Sequence, residues 1–358
     1  GAVAVVGLGG GTPWAFHGLA ALGGNRRAPH ASVGEYRSLE EDEEALDRTL
    51  GGELRYARVN GSIETVWQMP LGVPKGVFFM AHGCQHQGTD MFRDVPICSK
   101  SNFGRCLNLP EEAHLRRAAL ARSYLVMAVS GGMGKKSCWF QRDLSRVKMA
   151  VEYVKEVENI TEDLPVVAVG ASSGGEMVGM LATDSGLPHL KCIVPQVSSV
   201  SELTWGSSAG RQIPTLFVVM PRDGYTFDMA TDDYLALQSM KVRTAMIKVK
   251  PRKVTASYLE RCLKSDLAQK VVEALQKSDA LNDEGYFEGD PLEKLWVEPV
   301  RKVIHGKVND TLVKDESCIF ERMTAAFAFH EFTGQYAEDM LDFCEEKGKY
   351  ANGTRKED

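Results

Sequence analysis

The sequence has no CxxC pair and no concentrated stripe of lysine and arginine, and it is poor in asparagine, with eight in 358 residues. The missing CxxC excludes a zinc ribbon and a thioredoxin-type redox pair, since both hold two sulfurs close together on one turn. The missing basic stripe excludes the electrostatic footprint of a nucleic-acid binder, which needs clustered cations to displace counterions. With 42 Lys and Arg against 48 Asp and Glu, the formal charge is −6. No nucleic-acid partner is expected. The scarcity of asparagine sharpens another pattern, because four of the eight stand in N-x-S/T sequons, at Asn60, Asn159, Asn309 and Asn352. About one such match is expected by chance.

What is present is globular in kind, with 44% hydrophobic and 25% charged residues, which rules out collagen-like and wholly disordered chains. At roughly 150 residues per domain the length suggests two domains, or one α/β core enlarged by insertions. Eight cysteines, an even number, can form up to four bridges, and Cys84, Cys98, Cys106 and Cys138 cluster in sequence as the first pairs to expect. The first residue is Gly, and Ala2 to Gly24 is apolar and uncharged before Asn25-Arg26-Arg27. This stretch reads as the tail of a signal peptide or membrane anchor, or as a small-residue leader, since Pro13 and the glycines suit a spanning helix poorly. Leader, sequons and cysteines together favour a secretory or extracytoplasmic address, with membrane association through the N-terminal segment.

Residues 1–50 divide into this apolar leader and an acidic linker, Ser38 to Asp47, expected as a solvated linker or short exposed helix. From about Glu53, β-rich apolar runs alternate with amphipathic segments. Leu54 to Val59 and Ile63 to Met69 form an antiparallel pair about an Asn60-Gly61 turn, and Val77 to Ala81 and Leu125 to Val129 are buried strands. Further strands fall at Val166 to Val169, Cys192 to Pro195, Leu216 to Met220 and Ala245 to Val249. Helices are expected at Glu111 to Arg122, Asp143 to Val157, Met177 to Thr183 and Tyr234 to Met240. The alternation implies an α/β fold with a mostly parallel sheet flanked by helices, spanning residues 51–346. Pro251 to Asp315 breaks the pattern and reads as a helical insertion or lid. A long helical segment, Glu316 to Glu346, then closes the fold, and 347–358 is a polar tail.

Chemistry concentrates in four places. Gly170-Ala171-Ser172-Ser173-Gly174 satisfies G-x-S-x-G where a buried strand gives way to a helix, a turn that lifts a serine oxygen into the open. The other reading of this turn, a phosphate cradle at a helix N-terminus, lacks the lysine and ribose-binding acid that would accompany it. A strand ending in His82-Gly83 is placed to supply an oxyanion loop, with the backbone N–H groups of Cys84 and Ser173 as donors. His82 and His86 are expected to hydrogen-bond and shape that loop, and Cys84 as a nucleophile is a minor alternative. Asp223, in Pro221-Arg222-Asp223-Gly224 at a strand end, is the candidate acid, better placed than Asp228, Asp232 or Asp233; it would otherwise cap the next segment. For the base, His330 recurs with Phe320, Met323 and Phe327 at spacings of three and four, which puts it on the apolar face of a helix, and His305 is the alternative.

These segments, with Leu109-Pro110-Glu111-Glu112, Asp283-Glu284-Gly285-Tyr286 and AFAFHEFT (Ala326 to Thr333), resemble the α/β-hydrolase superfamily over Leu54 to Glu346, and an uncharacterised plant and algal group within it. The resemblance implies a catalytic triad of Ser172, Asp223 and His330 in that chain order. It implies a serine hydrolase that cleaves a carboxylic ester or thioester of a small acyl substrate, with neither cofactor nor metal. A catalytically silent fold used as a binding or assembly module and a serine peptidase are the alternatives.

Overall fold

The structure is a computed structural model that describes residues 45–93, 95–98, 106–131, 137–183, 186–201, 212–308 and 310–351. Eight strands form one sheet: β1 (Gly51–Val59), β2 (Ile63–Pro70), β3 (Gly76–Ala81), β4 (Tyr124–Val129), β5 (Val166–Ala171), β6 (Leu190–Gln196), β7 (Thr215–Val219) and β8 (Thr244–Lys248). Their order is β1-β2-β4-β3-β5-β6-β7-β8. β2 runs antiparallel to both β1 and β4, and the remaining pairs are parallel. The expected α/β class, a mostly parallel sheet flanked by helices, is the fold the chain adopts. The Asn60-Gly61 turn takes positive φ at both residues, 49° and 72°, the geometry a tight hairpin needs.

The central strands are apolar throughout because both faces of the sheet are covered. Along β3, Phe78 and Met80 face one side with Leu115 of α1 (Pro110–Ala121), while Val77 and Phe79 face the other with Val147 and Val151 of α2 (Leu144–Val157). The second face is completed by Met177 and Leu181 of α3 (Ser173–Leu181) and by Ala230 and Leu237 of α4 (Gly224–Ser239). Pro110 opens α1 at a position where its missing N–H costs no hydrogen bond.

After β8 the chain builds a separate hydrophobic cluster from α5 (Ala256–Leu259), α6 (Ser265–Lys277), α7 (Val297–Ile304) and α8 (Cys318–Phe327). In α6, Leu267, Val271 and Leu275 recur every four residues and pack with Trp296, Val300 and Phe320. A disulfide from Cys262 to Cys318 ties its two ends.

Two expectations need correction. The segment Glu316 to Glu346 is not one long helix: α8 stops at Phe327, where Ala328 takes a left-handed φ of 58°, and α9 (Ala337–Glu345) begins ten residues later. His330 therefore lies in the loop between them, not on the apolar face of a helix. The spacing from Phe320 runs past a helix end that no glycine or proline announces. The tail is also not wholly polar, because Tyr350 is buried against Phe343, with ring centroids 5.4 Å apart. Of the acidic linker, residues 45–50 are a mostly exposed helix, and Asp47 reaches Arg116 and Arg117 of α1 at 2.7 and 2.6 Å. The apolar leader, Asn309 and Asn352 lie outside the described residues.

Candidate active site

The turn between β5 and α3 brings Ser172 forward. Its φ of 54° and ψ of −122° lie where a side chain is strained, and the turn is held by Gly175 and Glu176 N–H groups on the Ser172 carbonyl at 2.9 and 3.1 Å. The two motif glycines are needed for space. A Cβ on Gly170 would stand 2.3 Å from the Gly174 carbonyl oxygen, and one on Gly174 would stand 2.3 Å from that of Ala81 and 2.5 Å from that of His82. The elbow can form only because backbone meets backbone there.

His330 reaches Ser172 from the loop after α8. Its Nε2 is 3.0 Å from Ser172 Oγ, and its Nδ1 is 2.6 Å from Asp223 Oδ2. A carboxylate on Nδ1 fixes the tautomer that leaves the Nε2 lone pair toward the serine. Asp223 follows β7 as the N-cap of α4, and Thr226 Oγ1 donates to the same carboxylate oxygen. Burial would push the Asp223 carboxyl up, but the hydrogen bonds from His330 and Thr226 outweigh it and hold the group below its ordinary value. Neighbouring Arg222 donates to the Phe327 carbonyl at 2.9 Å and stacks on the Phe327 ring, so the acid's turn is tied to the end of the helix that delivers His330.

The alternative residues are elsewhere. His305 is exposed at the end of α7, Asp228 and Asp232 are exposed on α4, and buried Asp233 accepts from Ser199 Oγ and Val200 N–H at 2.7 Å each.

The loop after β3 runs beside the elbow: a Cβ on Gly83 would be 3.9 Å from Ser172 Cβ. His82 is buried, with Nδ1 2.7 Å from the Gly83 carbonyl, Nε2 accepting from Gly131 N–H at 2.9 Å, and Trp139 Nε1 donating to its carbonyl at 2.8 Å. Both ring nitrogens are committed to backbone, so this imidazole shapes the loop. His86 stands 3.4 Å from Asp315 and 3.8 Å from Asp90. Burial would lower its pKa, but Asp315, Glu112 and Asp90 raise it overall. Cys84 is bonded to Cys138, which removes it as a nucleophile and pins the loop that carries its N–H.

All eight cysteines are paired: Cys84–Cys138, Cys98–Cys106, Cys192–Cys344 and Cys262–Cys318. The first two are bridges within the cluster the sequence singled out. Bridges of this kind persist in oxidising compartments. Among the described residues, no helix is long and apolar enough to cross a membrane, and no group of three His, Cys, Asp or Glu is placed to hold a metal ion.

Three residues escaped sequence reasoning. Gln196 at the end of β6 and Glu111 at the start of α1 hold the backbone of Thr333 and Gly334, just beyond His330, and Thr226 supports Asp223. Glu111 lies in the Leu109-Pro110-Glu111-Glu112 segment, the only one of the three with a sequence signal.

No protein-family model and no curated protein matches the chain. Among solved structures it is similar to a hyperthermophilic esterase from Pyrobaculum calidifontis, with 14% identity and a TM-score of 0.38 over 59% of this chain and 81% of that one. It is similar to a dienelactone hydrolase from Anabaena variabilis, with 17% identity and a TM-score of 0.40 over 57% of this chain and 88% of that one. It is also similar to an acylaminoacyl peptidase from Pyrococcus horikoshii, with 13% identity and a TM-score of 0.40 over 71% of this chain and 45% of that one.

Proposed function

We propose that the chain is a serine hydrolase that cleaves a carboxylic ester or thioester of a small acyl substrate. The reading rests on one observation, the unbroken hydrogen-bonded line from Ser172 Oγ through His330 to Asp223, at 3.0 and 2.6 Å. Ser172 Oγ would attack the acyl carbonyl while its proton passes to His330 Nε2, and Asp223 would stabilise the imidazolium and hold its orientation. The oxyanion that forms would be held by the Cys84 and Ser173 N–H groups, with His82, Gly83 and His86 shaping the loop. One such donor is commonly worth about 3 kcal/mol of transition-state stabilisation. His330 then returns the proton to the departing alcohol or thiol, leaving an acyl-enzyme. A water molecule repeats the sequence and frees Ser172.

A silent binding module needs no such line, and the strained φ of 54° at Ser172 would be stored to no purpose in it. The helical segment 251–315 would act as the insertion or lid that shapes the acyl pocket. The four disulfides, with exposed Asn60 and Asn159 in their sequons, support an extracytoplasmic glycoprotein.

The test is hydrolysis of a panel of p-nitrophenyl esters, acyl thioesters and peptide p-nitroanilides by wild type and Ser172→Ala. Turnover of esters or thioesters that the substitution abolishes is the expected result. Turnover of the anilides alone would make the chain a peptidase, and no turnover of any member would favour the silent module.

A further inference from the structure

Gln196 ends β6 and is fully buried. Its backbone and its side chain hold two different segments. The backbone carbonyl accepts from Ser172 N–H at 3.0 Å, directly after the Ala171–Gln196 pairing of β5 with β6. The side-chain amide meets both backbone groups of Thr333: Oε1 accepts from Thr333 N–H at 2.9 Å, and Nε2 donates to the Thr333 carbonyl at 3.1 Å. A carboxamide used this way pairs with a peptide as a neighbouring strand would, and fixes its orientation as well as its position.

Glu111 secures the next link, accepting from Gly334 N–H at 2.8 Å and Thr333 Oγ1 at 3.3 Å, while Arg322 holds its other oxygen. This clamped segment begins three residues after His330. His330 itself has a φ of 38°, and Ala328 one of 58°. Non-glycine residues keep such angles only where their surroundings impose them.

We infer that Gln196 is a positioning residue of the hydrolase, tying the Ser172 elbow and the His330 loop to one strand end and so setting the 3.0 Å between Ser172 Oγ and His330 Nε2. The inference rests on the triad proposed above. Proton transfer in a preorganised site is sensitive to placement, and a misplacement of about 1 Å can cost about 10²-fold in rate. A polar group that merely satisfied the core would have no such consequence.

Two variants of the full, disulfide-bonded chain test this, assayed for p-nitrophenyl ester turnover and for labelling of Ser172 by a fluorophosphonate. Gln196→Leu removes both side-chain bonds to Thr333, along with the longer one from Nε2 to Met340 Sδ, and we expect kcat and labelling rate to fall about 10²-fold with KM held within about threefold. Gln196→Glu is close to isosteric and covers the case in which the leucine variant fails to fold. Ionised, it turns lone pairs toward the Thr333 carbonyl; protonated, it donates there as the amide does. Its buried carboxyl should titrate above the ordinary range. The ratio of its rate to wild type should therefore rise at least fivefold, on the order of magnitude of one lost hydrogen bond, as pH falls from about 8 to about 5.5. Labelling of Gln196→Leu at the wild-type rate, a loss confined to KM, or a pH-independent ratio for Gln196→Glu overturns the positioning role. Failure of wild type itself to label at Ser172 overturns the hydrolase reading instead.

Discussion

His330 Nε2 stands 3.0 Å from Ser172 Oγ across 158 residues of sequence, and the imidazole is aimed there by Asp223 on its other nitrogen. Neither partner lies in a regular element. Ser172 caps α3 on a strained turn, and His330 occupies a loop with positive φ, so the pair exists only because several fixed points hold each side.

Asp223 is the first of these to test. Asp223→Asn keeps the shape of the side chain but no longer favours the tautomer with its lone pair toward Ser172. We expect kcat to fall about 10³- to 10⁴-fold with the thermal midpoint changed little. Steady-state kinetics beside a melting curve check this; a loss below tenfold would mean that His330 does not need the carboxylate.

Gly174→Ala should act through space. Its new Cβ would meet the Ala81 and His82 carbonyl oxygens at 2.3 and 2.5 Å, so the elbow and the loop after β3 must move apart. Overpacking of this kind costs about 3 kcal/mol. Denaturant unfolding should show that loss, together with loss of ester turnover.

The stability of the fold should decline between mildly acidic and mildly alkaline pH. Burial, with Asp315 close by, pushes the Glu331 carboxyl from 4.5 to about 7. Burial and the neighbouring carboxyl of Glu112 likewise push Glu321 up. A carboxyl raised in the fold binds its proton more tightly there than in the unfolded chain. Its stabilisation is complete below the ordinary carboxylate range and disappears as pH rises through the folded value. For Glu331 this amounts to at most about 3 kcal/mol. Thermal midpoints from pH 5 to 8.5 should fall in wild type and fall less in Glu331→Gln; parallel profiles would contradict the assignment.

The Cys84–Cys138 bridge closes a 54-residue separation and pins the loop that carries the Cys84 N–H. In chain-entropy terms a loop of this size is worth about 4 kcal/mol. The double variant Cys84→Ala/Cys138→Ala should therefore lose stability, and kcat should fall more than KM rises. A variant with native kcat would place the oxyanion donors elsewhere.

The sheet was legible because strands buried on both faces, such as β3, are apolar without interruption, and helices such as α2 show one face at spacings of three and four. The elbow was legible because backbone contact at Gly170 and Gly174 admits only glycine, which leaves a motif. His330 was legible as a residue but not in its setting, since α8 ends at Ala328 without glycine or proline and the apolar spacing continues past the end. Gln196 carries no periodicity or motif of its own, and Glu111 has only its place in the Leu109-Pro110-Glu111-Glu112 segment. Their roles come from strands and loops that meet only after folding, with Gln196 137 residues from Thr333.

The central claim is that Ser172 is a nucleophile activated by His330. Its most direct measurement is intact-mass and peptide mapping after treatment with a fluorophosphonate. A single phosphonyl adduct on the peptide containing Ser172, absent in Ser172→Ala and strongly slowed in His330→Ala, is the predicted result. No adduct on wild type, or equal labelling of Ser172→Ala, would contradict it.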